Sequence, residues 1–203
     1  MPRRLLKPAV FAAALLPAVV MIYQAIYGGL GPDPAETLIH GTGEWATRLL
    51  IAALLVSPLR PYFPPLGSLR RMLGLFTFAY ASIHLLLFLQ FDLGWSVARV
   101  WEEVLERPYV TAGFGAWLIL LPLAVTSTRG WQRRLRRGWK RLHQGVYAVA
   151  LLVSLHVIWQ ARSDLGEALV YTGILGALLL WRLAGFLKTR AAFNRSLEAS
   201  KPA

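Results

Sequence analysis

The sequence predicts an all-α membrane protein, built as a bundle of six transmembrane helices with both termini in the cytoplasm. Of its 203 residues 56% are hydrophobic, and the mean hydropathy of +0.49 exceeds that of an ordinary soluble domain. Long uncharged runs alternate with short charged segments, and a bilayer core needs about 20 apolar residues per helix. The basic residues also fall mainly on one side of a six-helix arrangement.

The first three predicted helices lie between charged or turn-forming segments. Helix one covers 8–27, is followed by two glycines, and is expected to kink at Pro17. Helix two covers 43–59 and is long enough to span only if it includes Arg48; prolines follow its end. Helix three covers 70–91, which is the uncharged run 72–91 with the two arginines that precede it.

The second half of the chain repeats this alternation. The acidic segment 92–108 is predicted to hold an amphipathic interfacial helix, because its apolar residues recur at helical spacing. Helix four covers 109–126 and helix five covers 139–159, and both are long enough unaided. Helix six, at 166–187, is long enough if Arg182 extends its charged end towards the membrane surface.

The net charge of +12 is explained by topology. Lys and Arg are concentrated at both ends, between helices two and three, and in the segment 129–141, whereas acidic residues occupy the opposite loops. The positive-inside rule therefore places both termini in the cytoplasm, where anionic lipid headgroups balance the basic surface. Nucleic-acid binding is not expected. The whole chain, 1–203, is predicted to be one domain, with no segment long enough for a soluble catalytic domain.

Two histidines within apolar runs, His84 and His156, are the main candidate site. A titratable imidazole in hydrocarbon is costly and indicates a functional site that faces the protein interior. At 1.5 Å per residue, His84 lies about 20 Å and His156 about 22 Å from the basic ends of two parallel helices. Their equal depth suits the two axial ligands of a b-type haem. The alternative is a pair of buried histidines that bond to backbone carbonyls or to each other.

A third histidine, His143, lies near the basic end of helix five and could ligate a second, inner haem. Its counterpart on helix three would be Arg70 or Arg71, and a guanidinium cannot ligate iron. The alternative is an interfacial histidine that contacts headgroups. Since the chain has no Cys, iron–sulfur clusters and covalently attached haem are excluded.

Three arginines are candidates for binding the acidic groups of a cofactor. Arg48 could bind haem propionates, although an ion pair with Glu44 at spacing i,i+4 is the simpler explanation. Arg70 and Arg71 belong to a cationic rim that could bind propionates or a flavin phosphate. The alternative for these two is a solvated positive-inside surface.

Six segments resemble the MsrQ family, the haem-binding membrane subunits of bacterial protein-methionine-sulfoxide reductases, within the ferric-reductase-like transmembrane superfamily. The segments are GGLGPDP (28–34), IHGTG (39–43), RRMLGLFTFAYASIH (70–84), RPYVTAGFGAW (107–117), AVTST (124–128) and WKRLHQGVYAVALLVSLHVIW (139–159). The family's three membrane histidines match His84, His143 and His156. The related NADPH oxidases carry two histidines on each of the corresponding helices, and the inner one on helix three is replaced here.

The resemblance implies a ferric-reductase-like six-helix bundle in the bacterial inner membrane that conducts electrons. It implies haem b, with flavin mononucleotide (FMN) as a further cofactor, and electrons taken from the quinone pool. The acceptor it implies is a periplasmic, molybdopterin-dependent MsrP-like reductase that repairs oxidised methionines in proteins. Docking of that acceptor is predicted at the outer segments 28–43 and 92–108, through Glu102, Glu103 and Glu106.

Two other functions are compatible with the same helices. A ferric or oxygen reductase would need a separate cytosolic flavin reductase, which could dock on the basic segment 129–141. A transporter or proton channel could use the histidines as a relay, and it would be colourless. A visible spectrum therefore separates this second alternative from a haem protein.

Overall fold

The computed structural model describes residues 3–161 and 165–199, and those residues fold almost entirely as helices. A short 3-10 helix at Pro64–Ser68 joins the second α-helix to the third. The α-helices of the described residues are α1 Arg3–Tyr27, α2 Pro34–Leu59, α3 Arg70–Phe91, α4 Val97–Glu106, α5 Pro108–Val125, α6 Arg129–Leu135, α7 Arg137–His143, α8 Gly145–Gln160 and α9 Leu165–Ala199.

Within the described residues, five helical segments are long and apolar enough to cross a membrane. They are Leu5–Tyr27, Arg70–Phe91, Pro108–Val125, Arg137–Gln160 and Leu165–Ala192. These segments match the first, third, fourth, fifth and sixth predicted helices. The remaining predicted span lies in α2, which carries the charged residues Glu36, Glu44 and Arg48 before its apolar C-terminal part. The protein is therefore an all-helical membrane protein with several spans.

Helix α2 begins nine residues before its predicted start at 43. Asp33 caps it by accepting a hydrogen bond from the Glu36 backbone N–H at 2.9 Å, and Pro34 occupies its first turn. His40, predicted to lie in an outer loop, is instead helical, 3.8 Å from the Glu36 carboxylate. The loop prediction was wrong because it relied on hydropathy, which is low in this segment, and did not use the capping signal of Asp33 and Pro34.

Other differences from prediction lie near the ends of helices. Helix α9 continues well beyond 187, and the basic segment 129–141 forms two short helices, α6 and α7. They are separated at Arg136, whose φ of 48° is rare for a residue other than glycine. Helix α4 confirms the helix predicted in the acidic segment 92–108. Its apolar side chains Val97, Trp101 and Leu105 are all more than 60% exposed.

The most buried part of the bundle is the apolar C-terminal half of α2. One side of it, with Leu50, Ile51 and Leu54, packs into a core completed by α5, α8 and α9. The other side, with Leu49 and Ala53, packs against α1 and α3. Helix α2 thus joins two groups of helices. Because its apolar half packs on protein on both sides, its position does not depend on the hydropathy of its polar N-terminal part.

Tyr80 in α3 repairs a break in the backbone hydrogen bonding of α1. Its hydroxyl accepts from the Ala18 N–H at 3.0 Å and donates to the Ala14 carbonyl at 2.8 Å. An uninterrupted helix would join those two groups directly, but Pro17 lies inside this turn and kinks helices. Backbone groups have no water to bond with in hydrocarbon, so the tyrosine supplies their partner.

The variant Tyr80→Phe should lower the free energy of unfolding by about 1–3 kcal/mol, because it leaves buried polar groups without a partner. Thermal unfolding in detergent would measure the loss. Tyr62→Phe is the matched control, since Tyr62 is 77% exposed. Equal stability of the two variants would contradict the proposed role of the Tyr80 hydroxyl.

Candidate functional site

The structure brings His84 of α3 and His156 of α8 together, as their predicted depth requires. Their ring centroids are 6.1 Å apart, and the ring planes cross at 82°. Both rings are partly buried near the same end of the bundle.

Each imidazole is held by a backbone carbonyl of a neighbouring helix. His84 Nδ1 lies 2.8 Å from the Ile39 carbonyl oxygen in α2, and His156 Nδ1 lies 2.7 Å from the Tyr109 carbonyl oxygen in α5. Because a carbonyl oxygen can only accept, the proton of each neutral ring is on Nδ1. The lone pair of each Nε2 is therefore available to a metal, and no described residue is hydrogen-bonded to either Nε2.

Two glycines, which sequence reasoning did not select, make room for the rings. A Cβ atom at Gly43 would lie 3.1 Å from His84 Nδ1, and one at Gly113 would lie 2.7 Å from His156 Nδ1. Each glycine follows the accepting carbonyl by four residues. Helical Cβ atoms tilt towards the N-terminus, so a side chain there would cover the carbonyl. The same carbonyl–glycine arrangement thus seats both histidines.

The separation of the two imidazoles fits a pair of residues that would hold one haem iron. Imidazole nitrogen binds a metal at about 2 Å, and the ring centroid is about 1 Å further from the metal, so two opposed ligands have centroids about 6 Å apart. The observed separation agrees with this value. Hydrogen bonding of the second ring nitrogen to a carbonyl is also the usual way in which proteins orient a metal-ligating histidine. Binding to carbonyls and ligation of iron are therefore compatible, because they use different nitrogens.

His143 lies at the other end of the bundle and is held by the end of α5. Its Nε2 lies 3.1 Å from Thr126 Oγ1, which itself donates to the Pro122 carbonyl at 2.6 Å. The Trp139 ring stacks on the imidazole with centroids 4.0 Å apart. In this arrangement Nε2 is the proton donor, and Nδ1 is the nitrogen left for any other ligand.

Arg48 takes part in a polar cluster one turn along α2 from Gly43. Its guanidinium donates to Glu44 at 2.9 Å and to the Tyr171 hydroxyl at 2.8 Å, and it lies 3.8 Å from Glu167. The expected i,i+4 pair with Glu44 is thus present. The cluster also joins the polar half of α2 to α9.

Arg70 and Arg71 are the first two residues of α3. Arg71 lines a groove between α1 and α3. Binding of the acidic groups of a cofactor by these two arginines stays a prediction.

Trp117 connects α5 to α3. Its indole N–H donates to Ser82 Oγ at 3.0 Å, and its ring packs near Phe78 and Phe114, with centroids 6.3 Å and 6.2 Å away. This contact fixes the relative position of the helices around the two imidazoles.

Comparison with known proteins identifies the family. The family model described as ferric reductase like transmembrane component matches residues 9–154, which include His84 and His143. A protein of Xanthomonas axonopodis pv. citri is 45% identical over 93% of this chain and 90% of its own length. Its name is "Protein-methionine-sulfoxide reductase heme-binding subunit MsrQ". The chain belongs to the MsrQ family.

Other members of the MsrQ family agree with this assignment. The protein of the same name from Xanthomonas euvesicatoria pv. vesicatoria is 46% identical over 93% of this chain and 90% of its own length. The one from Xanthomonas oryzae pv. oryzae is 45% identical over 87% of this chain and 84% of its own. No solved structure matches the chain.

Proposed function

We propose that this chain is a haem b-binding electron-transfer subunit of the bacterial inner membrane. It takes electrons from the quinone pool and delivers them to a periplasmic, molybdopterin-dependent MsrP-like reductase that repairs methionine sulfoxide in proteins. The observation that carries this proposal is the pair His84 and His156, with centroids 6.1 Å apart and both Nδ1 atoms bonded to carbonyls. Membership of the MsrQ family supports the choice of partner.

In this proposal His84 and His156 hold the iron through Nε2. Haem bound there supplies one-electron redox chemistry. The protein contributes the fixed tautomers, the ring spacing and the apolar surroundings, which keep solvent away from the site. Arg48 at this end, and Arg70 at the other, are the candidates for the propionates or for the phosphate of FMN. His143 is the candidate ligand of a second haem.

The proposed topology has six spans, with α2 as the second. Support comes from its position between the two cores, because its apolar half packs on protein. Its charged groups are paired, as in the Arg48 cluster. Both termini would then be cytoplasmic, as the basic segments favour.

A redox titration of the purified protein, with haem-to-protein stoichiometry, tests the proposal. We expect a low-spin haem spectrum, one-electron reduction by a quinol, and at least one haem per chain. A value of two haems would assign the inner one to His143. A colourless protein would contradict the proposed function and favour a histidine-relay transporter.

Charge reversal on α4 tests the proposed direction of electron delivery. Glu103 is 3.0 Å from Arg107 and is already paired, so Glu102 and Glu106 are the exposed candidates for docking the acceptor. The double variant Glu102→Lys/Glu106→Lys should slow reduction of the acceptor severalfold at low salt and much less at high salt, because exposed charges mainly affect encounter.

The control for that prediction reverses two charges at the opposite end, Arg133→Glu/Arg137→Glu. It should leave delivery to the acceptor unchanged, and both double variants should keep the haem spectrum. An unchanged rate in the α4 variant at low salt would show that the acceptor docks elsewhere.

A further inference from the structure

Helices α1 and α3 and the 3-10 helix between α2 and α3 enclose a groove of about 410 Å³, within the range of ligand sites. Lys7 of α1 and Arg71 of α3 lie at one end of it, and Phe11, Leu75 and Phe76 line the apolar part. The mechanism proposed above gives this groove no role.

The polar and apolar parts of the groove are arranged in sequence along the helices. The Phe11 and Phe76 rings meet edge to face with centroids 5.2 Å apart, so they mark one level. Lys7 precedes Phe11 by four residues and Arg71 precedes Phe76 by five. Both cations therefore lie about 6–8 Å from that level, towards the same end. Leu75 lines the wall at about the level of the two rings, and Ala79 continues it in the other direction.

The two cations have no acidic partner among the described residues, since neither occurs in an ion pair there. The groove thus combines two uncompensated positive charges with an apolar wall about one turn away. This pattern is complementary to an amphipathic anion whose charge and hydrocarbon are adjacent.

We propose that the groove binds an anionic phospholipid from the leaflet at the basic end of the bundle. Its phosphodiester lies between Lys7 and Arg71, and one acyl chain follows the wall formed by Leu75, Phe76 and Ala79. A lipid fits better than a diffusible phosphate because the exposed side of α1, including Phe11 and Leu16, is apolar and continuous with the groove. Charge-assisted contacts of Lys and Arg with phosphate supply the headgroup preference.

Native mass spectrometry of the full chain in detergent tests this site by titration with dioleoylphosphatidylglycerol and, separately, with dioleoylphosphatidylcholine. The first phosphatidylglycerol should bind at least tenfold more tightly than phosphatidylcholine. The variant Lys7→Gln/Arg71→Gln should remove that preference, because each basic residue near the membrane surface contributes to binding of acidic lipid. Arg133→Gln/Arg137→Gln loses the same charge outside the groove and should keep it.

A second variant tests the apolar wall without changing charge. Ala79→Trp should fill the groove and remove the first tightly bound phosphatidylglycerol, whereas Leu86→Trp, on an exposed part of α3, should not. Equal losses of preference in Lys7→Gln/Arg71→Gln and in Arg133→Gln/Arg137→Gln would overturn the proposal, since they would indicate diffuse electrostatics. Displacement of the lipid by inorganic phosphate or by FMN would also overturn it, in favour of a site for a diffusible phosphate.

Discussion

Replacing either His84 or His156 with Ala should abolish the low-spin haem absorbance of the purified protein, while the protein remains inserted in the membrane. Each substitution removes one of the two imidazoles whose centroids lie 6.1 Å apart, and with it one of the two Nε2 atoms proposed to hold the iron. Because iron with a single axial histidine is high-spin or easily lost, we expect at least a tenfold drop in low-spin haem per chain. Pyridine haemochrome assay and visible spectroscopy would measure it.

His40→Ala is the control for both variants, since His40 is an exposed histidine of α2 that contacts Glu36. It should keep the full spectrum. His143→Ala should keep the outer haem and lose only a second haem, if the wild-type protein contains two. Full low-spin haem in both His84→Ala and His156→Ala would refute the assignment of the ligands.

The variant Gly113→Ala should also lose most of the haem, although it removes no ligand. The added Cβ would lie 2.7 Å from His156 Nδ1 and 2.9 Å from Cε1, so the ring must leave its carbonyl. Gly43→Ala should have a smaller effect, because its closest contact is 3.1 Å. We expect haem content to fall about tenfold in Gly113→Ala and two- to threefold in Gly43→Ala, in line with losses on disturbing the hydrogen-bond partners of ligands.

Two other glycines provide matched controls for these substitutions. A Cβ at Gly74 would have no neighbour within 4 Å, and one at Gly115 would meet only Leu152 at 3.6 Å. Ala is also favoured over Gly in a helix by about 1 kcal/mol, so a loss of haem would not reflect weaker helices. If Gly113→Ala and Gly115→Ala retained equal amounts of haem, the glycine would have no role in seating His156.

The sequence predicted those parts of the fold that depend on local hydropathy and charge. Helix three was predicted at its observed bounds, and the helix in the acidic segment 92–108 was found, because both depend on periodicity along a short segment. The start of α2 was missed because its first turns are polar and are stabilised by the cap at Asp33. Only Pro34 directly after Asp33 signalled it.

The depth match of His84 and His156 was predictable because rise per residue converts sequence position into height. The hydrogen bonds that hold the two rings could not be predicted, since they depend on which carbonyls face α3 and α8 after packing. Gly43 and Gly113 lay within the segments that carried the family resemblance, yet a glycine alone does not reveal which ring it faces. The Tyr80 contact with α1 was equally invisible, because it joins residues more than 60 positions apart.

The two carbonyl–glycine arrangements lie in different halves of the sequence, so they are synthesised one after the other. His84 rests on the helix that precedes α3, 45 residues upstream, and His156 rests on α5, 47 residues upstream. A ribosome therefore completes one oriented ligand before it synthesises the second. Each half contains one histidine together with the carbonyl that orients it, and binding of the cofactor requires both histidines. Two fragments separated near α4, expressed together, should thus reassemble around the cofactor.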